Sequence, residues 1–195
     1  MISHKHKFIF IHIPKTAGTS LSLFLKDLVD NKIILKKNVM GSNQGVDVIC
    51  EKSEKDIIHY WFDHYEKIYG DKIKDYFKFT IVRNPYDRIL SFYFWIKGEN
   101  NQTFIRDEFI DFIKANDSYQ YKYINCSFKI CHYENLIQDL ETIKCLNKLV
   151  DFDNFPVINK SKNAEIDYND FYDKGLKDLV YNKWKWDFIL FGYKY

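Results

Sequence analysis

Three short apolar runs along the chain predict buried β-strands. They are residues 8–13, 77–82 and 128–132, and each is rich in β-branched and aromatic side chains. Such runs, with little polar alternation, are typical of parallel strands that are covered on both faces. Two weaker runs, residues 33–35 and 46–49, are candidates for short strands on either side of a glycine-containing loop.

The segments between these strands repeat their apolar residues at the spacing of amphipathic helices. In residues 19–29, for example, Leu21 and Leu25 share one face. Asn84 and Pro85 predict a further helix start, because Asn caps helix N-termini and Pro suits the first helical position. Including these two helices, the predicted helices cover residues 19–29, 53–69, 85–95, 103–115, 136–149 and 169–184.

The alternation of strand, turn and helix indicates a parallel sheet with helices on both of its faces. We therefore predict the α/β class, in a three-layer αβα arrangement around a central parallel sheet. The length of 195 residues suits one domain, and neither a repeat nor a low-complexity linker divides the chain. We assign residues 1–195 to that single domain.

Composition and charge exclude several classes of function. The net charge of +2, from 29 basic and 27 acidic residues, lacks the basic excess of a general nucleic-acid binder, so we expect no nucleic-acid partner. We expect no membrane span, because no apolar run approaches the roughly 18 residues that one requires. No secretory signal is recognisable, so we expect a cytoplasmic protein. The four cysteines form no Cys-x-x-Cys pair, so we expect no metal.

The first chemical signal is the turn Pro14-Lys-Thr-Ala-Gly-Thr-Ser20, between the first strand and its helix. A helix start offers unpaired backbone N–H groups and the positive end of the helix dipole, so it favours phosphate-like anions. Gly18 lets the backbone approach a ligand closely, and Thr19 and Ser20 add hydroxyl donors. Lys15 adds a full positive charge that can offset negative charge on a leaving phosphate.

This turn differs from the phosphate loop of ATP-binding proteins. That loop reads Gly-x-x-x-x-Gly-Lys-Ser/Thr, whereas position 13 here is Ile and position 19 is Thr instead of Lys. No Asp that would bind Mg²⁺ clearly follows a strand. An ATP-dependent small-molecule kinase is therefore an alternative that the sequence disfavours.

A second candidate anion site follows the second strand, in the segment from Arg83 to Ser91. Arg83 stands at the carboxyl end of that strand, where open α/β sheets bind their ligands. An Arg fork with a hydroxyl suits a terminal phosphate, and Ser91 lies about two helical turns further on. Arg88 is either a structural residue, which we favour, or a second contact, or an ion-pair partner of Asp87. Two anion sites at one sheet edge suggest a nucleotide with phosphate at both its 5' and 3' ends.

These segments resemble the sulfotransferase family that includes carbohydrate and heparan sulfate 2-O-type enzymes and their short bacterial relatives. Residues 12–20 are similar to its 5'-phosphosulfate loop, and residues 79–93 to its 3'-phosphate motif. Residues 133–136 and 186–193 are similar to two later family signatures. The resemblance covers nearly the whole chain, in the expected order, and is weakest at residues 31–50.

The resemblance implies a P-loop NTPase-like sulfotransferase fold and 3'-phosphoadenosine 5'-phosphosulfate (PAPS) as co-substrate, with no metal. It implies a sulfuryl transfer to a hydroxyl acceptor, which we expect to be a carbohydrate or surface polysaccharide. It also implies that Arg83 and Ser91 hold the 3'-phosphate. The residues implied to hold the 5'-phosphosulfate are Lys15, Thr16, Ala17, Gly18, Thr19 and Ser20.

The general base is the open part of this assignment. The family often has a His before the helix that precedes the second strand, and here that place falls near Glu51. Glu51 is either that base or a solvated surface carboxylate, and His59 is either a base or a structural side chain. Lys162 lies in a basic loop that could close over the 3'-phosphate. The missing His also leaves open a catalytically inactive relative that binds nucleotide without turnover.

Overall fold

The computed structural model describes residues 1–30, 33–37, 46–50, 61–98, 103–158 and 167–195. The strands are β1 (Ile2–Ser3), β2 (Phe8–Ile11), β3 (Ile33–Lys37), β4 (Val46–Cys50), β5 (Phe77–Val82) and β6 (Lys129–His132). The helices are α1 (Gly18–Phe24), α2 (Phe62–Tyr69), α3 (Pro85–Lys97), α4 (Arg106–Ala115), α5 (Leu136–Glu141), α6 (Lys144–Asn147), α7 (Lys174–Lys183) and α8 (Lys185–Phe191).

A four-stranded sheet in the order β1-β2-β5-β6 lies at the centre of the described fold. Strands β2, β5 and β6 run parallel, whereas the two-residue β1 is antiparallel to β2 and was not predicted. Phe10 is paired with Phe79, and Val82 with His132. Because β2 and β5 are parallel neighbours, the turns that follow them meet at the same edge of the sheet.

Successive side chains along the strands point to opposite faces of the sheet, and each face has its own hydrophobic core. Phe8 and Phe10 face one side, where they join Leu21 of α1 and Leu140 of α5. The intervening residues face the other side, as Ile9 does, and join Phe62 of α2 and Phe191 of α8 in a second core. Helices therefore cover both faces, so the α/β class is confirmed, and the layers are consistent with an αβα arrangement.

A third core lies between helices and contains no strand. Side chains from α3, α4, α7 and α8 pack around the buried ring of Trp184, together with Tyr93, Phe109 and Phe188. The rings of Tyr93 and Phe109 meet edge to face, with centroids 5.0 Å apart, as aromatic pairs prefer. This helical layer fixes α3, which carries Ser91 of the second candidate anion site.

Two predicted helices are interrupted. The predicted helix 136–149 is two helices, and at the break Thr142 donates its hydroxyl to the carbonyl of Asp139 (2.6 Å), competing with the helical backbone pattern. The predicted helix 169–184 begins only at α7, where the Asp173 carboxylate accepts the N–H of Leu176. A separate helix, α8, follows Trp184.

The weaker strand predictions were correct, because β3 and β4 pair as an antiparallel hairpin with Leu35 opposite Val48. The predicted start of the helix at residues 53–60 lies outside the described residues. Within the described ranges, no helix has both the length and the apolar character needed to cross a bilayer.

Candidate functional site

The turn after β2 has an unusual backbone. Lys15 and Ala17 adopt positive φ angles of 68° and 64°, in the left-handed region that residues with a side chain rarely occupy. The buried hydroxyl of Thr16 donates to the carbonyl of Ile13 (2.8 Å) and closes the turn from inside. Residues in alternating hand turn successive N–H groups toward the same side, which is the geometry of a small anion-binding nest.

Helix α1 presents further N–H groups next to this turn. Its first intrahelical bond runs from the N–H of Leu21 to the carbonyl of Ala17 (3.2 Å). The N–H groups of Gly18, Thr19 and Ser20 therefore have no acceptor within the helix. Together with Lys15, these groups give the β2–α1 turn the polarity that an anion requires.

Gly18 is required at its position by packing. A Cβ atom there would lie 1.9 Å from Cδ2 of the buried His12 ring. Any side chain at position 18 would thus displace His12 or move the turn. The buried ring of His12 therefore supports the loop.

Arg83 joins the turn after β5 to the turn after β2. Its Nε and Nη2 donate to both carboxylate oxygens of Asp87 (2.7 Å each), and its Nη1 donates to the carbonyl of Lys15 (3.2 Å). The guanidinium group lies over the ring of Tyr133, 4.2 Å from its centroid. Arg83 is therefore held in one orientation at the sheet edge, 13% exposed.

The backbone of Arg83 is held by Gln120, a residue that the sequence analysis missed. The N–H of Arg83 donates to Oε1 of Gln120, and Nε2 of Gln120 donates to the carbonyl of Arg83, both at 2.9 Å. Gln120 is fully buried, and no motif or period marks it in the sequence. Its role follows only from the approach of residues 120–123 to the end of β5.

Arg88 is a structural residue, and the alternative that it pairs with Asp87 is wrong. It is fully buried and donates from Nε to the carbonyl of Pro14 (3.0 Å) and from Nη1 to the carbonyl of Ser118 (2.8 Å). Asp87 instead pairs with Arg83, four residues earlier, across one turn of backbone. Burial lowers the pKa of Arg88 to about 10, so the group remains charged at neutral pH.

Asp187 is a buried carboxylate close to the buried side chains of Arg88 and Gln120. It accepts the N–H groups of Gln120 and Tyr121 at 2.9 and 3.0 Å. Burial raises the pKa of Asp187, while those two N–H groups and the charge of Arg88 act in the opposite direction. Its negative charge also raises the pKa of Arg88 and partly offsets the effect of burial there.

The side chain of Lys15 reaches helix α3. Its Nζ lies 5.5 Å from the centre of the Trp95 ring, an attractive cation–π arrangement. Trp95 is one helical turn beyond the half-buried Ser91, so these two side chains lie on the same side of α3. The ammonium group of Lys15, which lies over Trp95, is therefore on that side of the helix as well. The structure thus brings Lys15, Arg83 and the exposed edge of α3 together.

The hydroxyl groups of the turn are used unequally. Thr16 is bonded inside the turn, and Ser20 Oγ accepts the N–H of Ile158 (3.0 Å). The hydroxyls of Thr19 and Ser91 form no hydrogen bond within the described part of the chain. The side chains of Thr16 and Ser20 are thus structural, and both residues are buried.

Three predicted site residues, Glu51, His59 and Lys162, lie outside the described residues. In the part of the chain that the structure describes, no group of three or more His, Cys, Asp or Glu side chains could hold a metal ion.

A family model described as "Sulfotransferase family" matches residues 1–194. The chain therefore belongs to the sulfotransferase family, whose general chemistry is sulfuryl transfer. Searches of curated proteins and of solved structures each found no match.

Proposed function

We propose that this chain transfers a sulfuryl group from PAPS to a hydroxyl of a carbohydrate or surface-polysaccharide acceptor. Family membership supports sulfuryl transfer. The observation that carries the finer proposal is the contact between Arg83 Nη1 and the carbonyl of Lys15 at 3.2 Å. It joins two positively polarised elements at one sheet edge, as a nucleotide with phosphate at both ends would require.

In this proposal, the two elements bind opposite ends of the nucleotide. The N–H groups of the β2–α1 turn, with Lys15 and Thr19, hold the 5'-phosphosulfate. Arg83 and Ser91 hold the 3'-phosphate. Arg83 donates three of its five N–H groups to Asp87 and Lys15, which leaves one hydrogen on each terminal nitrogen for a phosphate oxygen. The tie to Asp87 orients these two hydrogens before the ligand arrives.

The chemical roles follow from this placement. PAPS supplies the activated sulfuryl group, and sulfuryl transfer should resemble phosphoryl transfer in its in-line displacement. The fixed N–H groups and Lys15 stabilise negative charge on the departing phosphate oxygen, because they are oriented before the reaction begins. The acceptor hydroxyl loses its proton to a base, for which Glu51 and His59 remain the candidates, and Lys162 is the candidate to close over the 3'-phosphate.

Calorimetric titration with 3'-phosphoadenosine 5'-phosphate in the absence of Mg²⁺ tests the nucleotide assignment. We expect binding to the wild type, and a loss of about tenfold or more in Lys15→Ala and in Arg83→Ala, since each removes a charged contact. Arg106→Ala is the matched control, because this exposed arginine pairs with Asp173 away from the site. No heat of binding by the folded wild type would refute the proposal, and binding that requires Mg²⁺ would favour a kinase.

A sulfuryl-transfer assay with a panel of glycans tests turnover separately. We expect transfer to at least one glycan, with Glu51→Gln or His59→Ala abolishing turnover while nucleotide binding persists. Nucleotide binding without transfer to any glycan would favour an inactive relative. Unchanged activity in both variants would remove these two residues from the mechanism.

A further inference from the structure

Helix α8 has a charged residue on its buried face and several large apolar residues on its exposed face. Asp187, Phe188 and Phe191 face the interior. The outward face carries Lys185 and three apolar residues, which we call the α8 ridge. These three are Trp186, Ile189 and Leu190, and they are 58%, 51% and 59% exposed. Spacings of three and four residues place them side by side on the helix surface.

The interior contacts prevent α8 from turning this ridge inward. The Asp187 carboxylate accepts two backbone N–H groups, and the ring of Phe188 meets that of Tyr86 at 4.9 Å. Rotation of the helix would leave both N–H donors buried without an acceptor, which is costly. The ridge is therefore a fixed feature of the surface.

Three lysines lie on α8 or on the segments that adjoin it, and Lys185 shares a helix face with Ile189, four residues further on. Lys183 Nζ lies 5.5 Å from the centre of the Trp184 ring, and Lys122 Nζ lies 4.4 Å from the centre of the Tyr119 ring, which packs on Trp184. Lys185 begins α8 itself and is exposed. Asp117 pairs with Lys183 at 3.2 Å, so one of the three positive charges is balanced by a carboxylate.

The size and charge of this surface distinguish between possible occupants. Three side chains amount to a few hundred Å², whereas a standard protein interface buries about 800 Å² on each partner. A ridge of this size with Trp at its edge and Lys beside it suits the boundary of a lipid bilayer, where Trp and Lys side chains are enriched. Lysine charges near such a surface are attracted by anionic headgroups.

We propose that the α8 ridge and its lysines dock this protein peripherally on an anionic phospholipid surface. The docking is shallow and involves no spanning segment. It is independent of the proposed enzymatic function, because none of these residues contacts the β2–α1 turn or Arg83 in the described structure.

Vesicle co-sedimentation tests this proposal. We expect the wild type to bind vesicles of equal parts phosphatidylglycerol and phosphatidylcholine, and to bind phosphatidylcholine vesicles weakly. A variant with Trp186→Ser, Ile189→Ser and Leu190→Ser should lose about tenfold or more in affinity. The matched control is Ile68→Ser with Trp61→Ser, which removes exposed apolar residues near α2 and should bind as the wild type does.

The lysines are tested in the same assay. Lys122→Gln with Lys185→Gln should weaken binding to the anionic vesicles by about fivefold or more, and added salt should do the same. Lys144→Gln with Lys148→Gln, at exposed positions in or next to α6, is the control and should bind normally. Circular dichroism verifies that each variant is folded.

Several outcomes would overturn the proposal. One is a wild type that binds neither kind of vesicle, and another is a folded ridge variant that binds as tightly as the wild type. A third is a concentration-dependent dimer in light scattering that the ridge variant abolishes, with no vesicle binding. That result would assign the ridge to contact with a second copy of the chain.

Discussion

The two strand–helix junctions at the ligand edge of the sheet are constructed differently. The junction after β2 has two residues with positive φ, lacks a side-chain cap and leads into a helix of 7 residues. The junction after β5 has Asn84 as a cap, Pro85 at the first position and a helix of 13 residues. The first is a strained turn that leads into an uncapped helix start, and the second is a capped and stable helix start.

The difference shows that the stable junction holds the strained one in place. Arg88 of α3 donates to the carbonyl of Pro14, and Arg83 donates to the carbonyl of Lys15. A backbone in the left-handed region persists only where its surroundings enforce it. The shape of the β2–α1 turn thus depends on side chains from the other junction, and four substitutions can test this dependence.

The largest effect is expected for Arg88→Met. It removes the donor to the carbonyl of Pro14 and one of the two donors to the carbonyl of Ser118, to which Trp184 Nε1 also donates, and it removes the positive charge near Asp187. We expect the free energy of unfolding to fall by about 3–5 kcal/mol, measured by urea denaturation. Arg106→Met, at an exposed ion pair, is the control and should change little. A small loss of unfolding free energy in Arg88→Met would mean that the β2–α1 turn keeps its shape without this arginine.

Gly18→Ala should have the next largest effect, because its Cβ would meet the His12 ring. We expect a loss of about 1–3 kcal/mol in unfolding free energy, as for other overpacked sites. Nucleotide binding should weaken too, since the turn must move. Gly175→Ala is the control, because a Cβ atom at that position would have Oδ1 of Asp173 as its nearest neighbour, 3.3 Å away. Wild-type stability and binding in Gly18→Ala would show that His12 moves freely.

Asn84→Ala should have a smaller effect. It removes the cap on the N–H of Tyr86 (2.9 Å), and we expect a loss of about 1 kcal/mol in unfolding free energy. Because the cap acts on α3, we expect the substitution to lower stability but to change nucleotide affinity little. Asn182→Ala, exposed on α7, should not destabilise. A large loss of nucleotide binding in Asn84→Ala would show that the cap also shapes the site.

Ala17→Gly should give the smallest effect, with the opposite sign. Glycine adopts the positive φ of this position without the steric cost that Ala bears, which is about 1–2 kcal/mol. The greater freedom of Gly in the unfolded chain offsets part of the gain, so we expect stabilisation by under about 1 kcal/mol in urea denaturation. Ala115→Gly, at the end of α4, should destabilise instead. Destabilisation by Ala17→Gly would contradict strain at the β2–α1 turn.

The junctions also show how far sequence reasoning reaches. Asn84 and Pro85 were sufficient to predict the start of α3, because capping depends on neighbouring residues. The strand ends placed Lys15 and Arg83 at one edge, because parallel neighbours share direction. The structural role favoured for Arg88 is confirmed, but the sequence left open whether Arg83 or Arg88 pairs with Asp87, since both are close to it along the chain. Only packing decides which of the two arginines points inward.

The amino-acid order by itself determined the central strands, the helix that Asn84 begins and the membership of the sulfotransferase family. These depend on local periodicity and on short motifs. The tertiary structure alone decided that Gln120 holds Arg83, that His12 requires glycine at position 18 and that α8 turns its apolar residues outward. Each of these depends on groups distant in the chain, whose contact is set by packing of the whole molecule and leaves no periodic trace in the sequence.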